Sequence, residues 1–341
     1  MRFNYFIFSI IFIAGSFFLS GCGNKNKTEA AEFFERGNYH FKKREYDRAI
    51  ELFSEAIEKV PDFADAYNNR GLCFEKTGNL EKAMMDYREA VELDDSFDQA
   101  KLNLAASYVH LGDPDLSQDL FKQLEKAYAD SSQFYDYRGQ YYLQKNDPDR
   151  AINDFQTSIT LNNGTAESFT NLGYAYYQKR LFEDAKLNFE KALNIDSDFS
   201  FALNNLSATW SQLNDWVKAL TYSEKVMKAN PNEIQFLNTH VLNLLENGRF
   251  KEANSLIEKA LKLAPENPYS LRNAAVYHIK SEQEAEAKQI LLNIEKENPE
   301  VEYLYYYLGI SAESPASACN FFKTGSMIGD LRSKQEYDKC K

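Results

Sequence analysis

Apolar positions return along this chain in a helical rhythm. In AYNNRGLCFEKTGNLEKA, residues 66–83, Ala66, Tyr67, Arg70, Gly71 and Phe74 fall at i, i+1, i+4, i+5 and i+8, one side of an α-helix. No strand pattern precedes Gly71. Asn79, where a phosphate loop needs lysine, follows Gly78, so the two glycines do not cradle phosphate. A glycine inside a helix costs about 1 kcal/mol relative to alanine, so Gly71 needs a packing reason.

A longer period supplies it. Glycines recur at 37, 71, 139, 173 and 309, always a multiple of 34 apart, and Ala105, Ser207, Val241 and Ala275 fill the gaps. Twelve positions later runs a second small column: Ala49, Ala83, Ser117, Ala151, Ala185, Ala219, Ala253 and Ala287. A third column is bulky: Phe53, Tyr87, Phe121, Phe155 and Phe189, then Ser223, Ile257 and Leu291. Turn residues such as Pro61, Asp95, Asn163, Pro231, Pro265 and Pro299 close many units. No insertion breaks residues 30–301, which make eight units of 34.

This register resembles the tetratricopeptide repeat, a helix–turn–helix unit of 34 residues. The likeness is clearest in GNYHFKKREYDRAIELFSEAI (37–57) and LGYAYYQKRLFEDAKLNFEKAL (172–193). The resemblance implies an all-α fold, a right-handed solenoid of stacked repeats. Short helices are marginal alone, so each unit must bury its apolar face on its neighbours. Small residues then mark where helix A crosses helix B. Gly78, Gly112 and Gly248 are expected to end helix A in the left-handed region, and Asp113-Pro114 and Asp147-Pro148 to start helix B. Residues 302–341 read as a degenerate ninth unit, with a turn about three residues short, and a polar capping helix.

The N-terminus is a separate object. MRFNYFIFSIIFIAGSFFLSGC has one arginine, an apolar run and small residues, the pattern of a secretory leader. Leu19-Ser20-Gly21-Cys22 resembles a bacterial lipobox. By that likeness residues 1–21 are cleaved and Cys22 is the lipidation site, holding the chain in the cell envelope. Gly23 in place of aspartate favours the outer membrane, with the protein facing the periplasm. Residues 22–29 then form a lipidated cysteine and a short polar tether.

A net charge of −12 argues against nucleic acid as partner. No HExxH, CxxC or serine–histidine–aspartate motif appears, and the repeats leave no room for a catalytic domain. The expectation is a protein without enzymatic activity, cofactor, metal or small-molecule substrate. His40 and His278 stand in a tyrosine column and read as core, as does Cys73. If the last helices form a hairpin around residue 329, Cys319 and Cys340 meet at one end. The exported compartment permits a disulfide between them.

In the repeat family the helix A positions line the concave groove. One such column holds Asn69, Asn103, Asn171, Asn205 and Asn273, interrupted by Tyr137 and Thr239. Each asparagine amide offers donors and acceptors, and a row of them matches the peptide groups of an extended chain. Tyr174, Tyr177 and Arg272, with Tyr303, Tyr306 and Tyr307 at the far end, complete the candidate groove. The reading is a membrane-anchored scaffold or assembly factor, pilotin-like or an adaptor for cell-wall enzymes, that binds protein segments. The alternative is a glycan-binding lipoprotein using the tyrosine-rich end.

Overall fold

The computed structural model describes residues 21–341 and, of side chains, those from residue 25 on. The leader expected over residues 1–21, but for its last residue, and the thiol of Cys22 lie outside the described residues. Two compact units follow, divided after Ala129.

The first contains α1 (Gly21–Lys42), α2 (Tyr46–Lys59), α3 (Ala64–Lys76), α4 (Leu80–Leu93), α5 (Asp98–His110) and α6 (Gln118–Leu124). The second begins with α7 (Ser132–Gln144), α8 (Pro148–Asn162), α9 (Ala166–Gln178), α10 (Phe182–Ile195), α11 (Ser200–Gln212) and α12 (Trp216–Ala229). It goes on through α13 (Ile234–Glu246), α14 (Phe250–Leu263), α15 (Pro268–Lys280) and α16 (Glu284–Glu297). It ends in α17 (Leu304–Ile310), α18 (Pro315–Met327) and α19 (Leu331–Asp338). Among the described residues there is no strand. Odd-numbered helices up to α17 are the A helices and each packs on the B helix that follows. In the second unit, α9, α11, α13 and α15 also touch in succession and share one face.

The glycine column is explained by the bulky one. A Cβ on Gly37, Gly71, Gly139 or Gly173 would stand 2.6–2.7 Å from the ring of Phe53, Tyr87, Phe155 or Phe189. Each aromatic ring of helix B therefore packs directly against its own unit's helix A backbone, and only glycine leaves room. Later units compensate by volume, pairing Val241 with Ile257 and Ala275 with Leu291, all buried. Where Ser207 and Ser223 replace both members, polar contacts take over. Asn243 Nδ2 donates to Ser207 Oγ (2.9 Å) and Ser223 Oγ (3.2 Å), and Ser223 Oγ meets His240 Nδ1 at 2.9 Å. Burial holds His240 below the usual imidazole range, so it stays neutral there.

Gly78, Gly112 and Gly248 do take positive φ, at +80°, +87° and +75°. Asp147 caps α8 by accepting from Arg150 N at 3.1 Å. Three expectations are corrected. Asp113 makes no side-chain cap; Pro114–Ser117 form a 3-10 turn closed by Ser117 Oγ on Pro114 O, 2.7 Å, before α6 begins. Residues 23–29 are not a loose tether but part of α1, where Glu29 pairs with Lys59 at 2.9 Å. At about 1.5 Å per residue a helix reaches less than half as far as an extended chain. His40 and His278 are only half-buried, bonded to Glu45 and Gln283 at the ends of their helices.

At the C-terminus α18 and α19 form the hairpin, turning at Gly329 (φ +87°), and Cys319 and Cys340 are joined with their Cα atoms 6.0 Å apart. Cys73 is buried and its thiol is pushed up to about 12 by burial, which leaves it inert.

Candidate peptide groove

The asparagine column splits into two kinds of residue, and a spacing of 35 decides which. In the first unit, Asn103 Nδ2 donates to Asn68 Oδ1 (2.9 Å), Asn68 Nδ2 to Asn69 Oδ1 (3.1 Å) and Asn69 Nδ2 to Asn38 Oδ1 (2.9 Å). Gln99 Nε2 donates to Asn103 Oδ1 at 3.1 Å. Asn103 and Asn68 are 3% and 4% exposed. The amides expected to face a partner here face one another. Asn103 is thus removed from the groove surface, and Asn69 is half-occupied. In the second unit the same step joins Asn273 Nδ2 to Asn238 O (2.9 Å), and Asn273 is buried. An asparagine at the fifth position of one repeat answers the one at the sixth position of the next.

Where Thr170 and Asp136 hold the fifth position, the sixth is left free to act. Thr170 precedes Asn205 and turns its hydroxyl to Ala166 O (2.7 Å); Asp136 precedes Asn171. Asn171 and Asn205 are half-buried with no side-chain hydrogen bond. Both line a trough on the A face of the second unit. A cavity of about 470 Å³ lies between Asn171, Tyr174, Phe201 and Asn205. It adjoins one of about 310 Å³ lined by Tyr174, Tyr177, Asn205, Arg272 and Glu302. Tyr174 is 41% and Phe201 54% exposed. The rings of Tyr174 and Tyr177 run parallel, centroids 6.4 Å apart.

Tyr177 donates to Glu302 Oε1 at 2.5 Å and accepts from Gln212 Nε2 at 3.3 Å, so it braces the wall of the trough. Burial, and next the Glu302 carboxylate, push its phenol well above the usual range. Tyr137 lies elsewhere on α7, its hydroxyl accepting from Gln133 Nε2 at 3.0 Å. Arg272 lines the trough but is buried and bound into its wall. Its Nε and Nη2 reach Asn273 Oδ1, at 3.2 and 2.9 Å, and its Nη1 reaches Glu302 O at 3.0 Å.

The tyrosine-rich end is filled from within. Tyr303 and Tyr307 are buried, and the guanidinium of Arg332, from α19, sits 3.8 Å from the Tyr306 ring centroid. Sequence periodicity put these rings in the groove; the closing helix, which lies outside the repeat, covers Tyr306 and Tyr307, and Tyr303 is left on the lining of the smaller cavity. The glycan reading loses the surface it rested on. Asn204 and Glu302 were missed as groove residues; Asn68 reads from the sequence as groove-facing but outside the recurring column, and the spacing of 35 that joins it to Asn103 was the signal of its inward role.

Asp136 has a measurable consequence. Its Oδ1 is buried without a hydrogen-bond partner, and burial, with the Glu167 carboxylate adding, raises it to about 6. The folded chain holds this proton more tightly than the unfolded one. Its stabilising effect is therefore full below about pH 4 and lost as pH rises through 6. Asp136→Asn is expected to raise stability at pH 7 by about 1–2 kcal/mol, after allowance for solvent screening. Near pH 4 it should change nothing. Urea unfolding of both chains at the two pH values checks this; equal stability at pH 7 would refute it.

Family models described as tetratricopeptide repeat match residues 34–100, 102–164, 166–199 and 244–306, about two thirds of the chain. Hsp70-Hsp90 organizing protein 3 of Arabidopsis thaliana is 31% identical over 109 residues, covering 32% of this chain and 20% of that protein. Heat shock protein STI1 of Saccharomyces cerevisiae is 33% identical over 96 residues, 28% of this chain and 16% of that protein. The chain thus spans a fifth or less of these relatives' length. Among solved structures, the APC/C hetero-tetramer Cut9–Hcn1 has a TM-score of 0.59 at 13% identity, covering 91% of this chain and 76% of that one, a likeness of fold. With the matched segments keeping the register that brings ring onto glycine in one unit after another, the chain belongs to the tetratricopeptide repeat family.

Proposed function

We propose that this chain is an exported lipoprotein scaffold that holds an extended segment of another protein along the A face of residues 130–341. The pair Asn171 and Asn205 carries the reading: two half-buried amides one repeat apart, without internal partners, beside exposed Tyr174 and Phe201. Packed helices lie about 8–10 Å apart, and an extended chain rises about 3.4 Å per residue. Successive amides therefore meet peptide groups about three residues apart, whatever the side chains between. The aromatic rings add contact area at little entropic cost. Relatives named as organizers of Hsp70 and Hsp90 support a scaffold role.

In this reading Cys22 carries the lipid and the chain faces the periplasm, where it acts as a pilotin or as an adaptor for cell-wall enzymes. Cross-linking and pull-down from membranes test the groove. Asn171→Ala/Asn205→Ala should cut partner recovery at least ~tenfold, while Asn103→Ala, buried in the other unit, should leave it intact. Undiminished recovery with the double variant sinks the groove reading. Cys22→Ser should release the chain from the membrane fraction; its retention there overturns the lipid anchor.

A further inference from the structure

The smaller cavity of the second unit holds polar groups that an extended segment along Asn171 and Asn205 does not use. Arg272 is 2% exposed, yet among the described residues no carboxylate lies within ion-pair distance of it. Three of its five N–H donors are taken, by Asn273 Oδ1 twice and by Glu302 O, so two remain. The Glu302 carboxylate lines the same cavity, accepts from Tyr177, and has no cation against it.

Two further oxygens are unmet. Asn204 lines the cavity at 3% exposure, and its Oδ1 has no partner. The register explains why. Thirty-five residues on stands Thr239, where Asn103 and Asn273 answer Asn68 and Asn238, and the Thr239 hydroxyl bonds to Gln235 O at 3.2 Å. Tyr303, on the same lining, has a buried hydroxyl without a partner.

A buried guanidinium and a carboxylate, both without a counter-ion, are costly to leave empty-handed. A plain anion on Arg272 would bring a second negative charge beside Glu302. A plain cation on Glu302 would face Arg272. Only a ligand carrying both charges gains from both groups. We propose that this cavity binds a small zwitterion, a free α-amino acid or dipeptide, with its carboxylate on Arg272. Its ammonium lies among Glu302, Asn204 Oδ1 and the Tyr303 hydroxyl. The volume of about 310 Å³ is at the small end of ligand pockets, which suits one or two residues. Tyr174 and Leu242 offer the side chain an aromatic and an apolar wall.

This site does not depend on the extended-segment reading, which turns on Asn171 and Asn205. Isothermal titration of the purified chain tests it. The probes are free tyrosine, leucine, aspartate and lysine, and the dipeptides Ala-Ala, Ala-Leu and Ala-Tyr, each beside its N-acetyl and its amide form. At least one free form should bind, and blocking either end should weaken it at least ~tenfold. Glu302→Gln should weaken the free form by a similar factor and leave the N-acetyl form unchanged. Arg272→Lys should weaken both. If that variant fails to fold, Glu302→Gln decides. No heat from any probe at ~10 mM, where a millimolar binder is about nine-tenths saturated, overturns the proposal. So does an N-acetyl form or an amide form that binds as well as its free parent.

Discussion

Arg332→Ala is expected to destabilise the unit of residues 130–341 by about 3 kcal/mol, the largest effect of any single change considered. Arg332 reaches from the closing helix to Glu246 at the end of α13, 86 residues away, with Nη2 3.2 Å from Oε2. Both side chains are nearly buried, 14% and 7% exposed. Nη1 also donates to Tyr307 OH at 3.2 Å, and Tyr307 OH in turn donates to Glu246 Oε1 at 2.9 Å. Burial, and then Glu246, hold the Tyr307 phenol well above its usual range, so it remains a neutral donor. The guanidinium lies over Tyr306 and within 5.2 Å of the Trp216 ring centroid. Truncation removes that stacking and leaves a buried carboxylate whose remaining cation is Lys280, 3.5 Å away and more exposed. In a unit of this size the loss corresponds to a Tm lower by ~6–12 °C. Arg332→Lys keeps the charge but not the planar fork, and should recover about half. Arg332→Met with Glu246→Gln removes both charges and should fall well short of the single alanine change. A drop below about 1 kcal/mol for Arg332→Ala would show that Glu246 is satisfied by Lys280 and water.

The contrast between Asn103 and Arg332 shows what a repeat sequence displays and what it hides. Helix pairs, crossing glycines and the stops at Gly78, Gly112 and Gly248 recur every 34 residues, so each is written several times over in the chain. The groove column was equally visible as a column. For Asn103, Asn171, Asn205 and Asn273, whether the amide faces a partner depended on one other position, the fifth residue of the preceding repeat. Asn68 and Asn238 occupy it in some units, Asp136, Thr170 and Asn204 in others. That is a contact between neighbouring A helices, and a single column cannot report it. The tyrosine-rich end was misread for a different reason. Arg332 and the loop at Glu302 belong to a closing segment that occurs once, so no second copy advertises their role. Tyr177 and Glu302 meet across 125 residues, and Arg180 donates to Gly329 O across 149, at 3.0 Å. Contacts of that range follow from the course of the stacked repeats, which the 34-residue pattern does not state. The polar stretch 23–29 was taken for a tether because it buries nothing, yet helicity propagates outward from the buried turn at Ala30 at little cost.

Loss of the Cys319–Cys340 bond is expected to cost about 3 kcal/mol, from a loop of 21 residues by the chain-entropy relation. The cost should fall on the cap first. α19 has 8 residues and one buried side chain, Ser333, whose hydroxyl bonds to Asp330 Oδ2 at 2.6 Å. A helix that short does not persist alone. It is held by its cross-link, by the close approach of Ser333 to Gly325, and by Arg332 inside the unit. Cys319→Ser/Cys340→Ser should therefore fray α19 and draw Arg332 out with it. Amide exchange in residues 331–338 should become fast while α9, α11 and α13 stay protected. The two changes act on one cap, so their effects overlap. With the serine pair already in place, Arg332→Ala should cost about 1 kcal/mol rather than about 3. Full additivity would mean that Arg332 holds its place without the cross-link. The bond itself is read by alkylating the native protein without reductant. The Cys73 thiol, buried and raised to about 12, should not react, so any label found at 319 or 340 counts open cross-links directly. A native chain with both positions labelled would refute the cross-link and, with it, the order in which the cap comes apart.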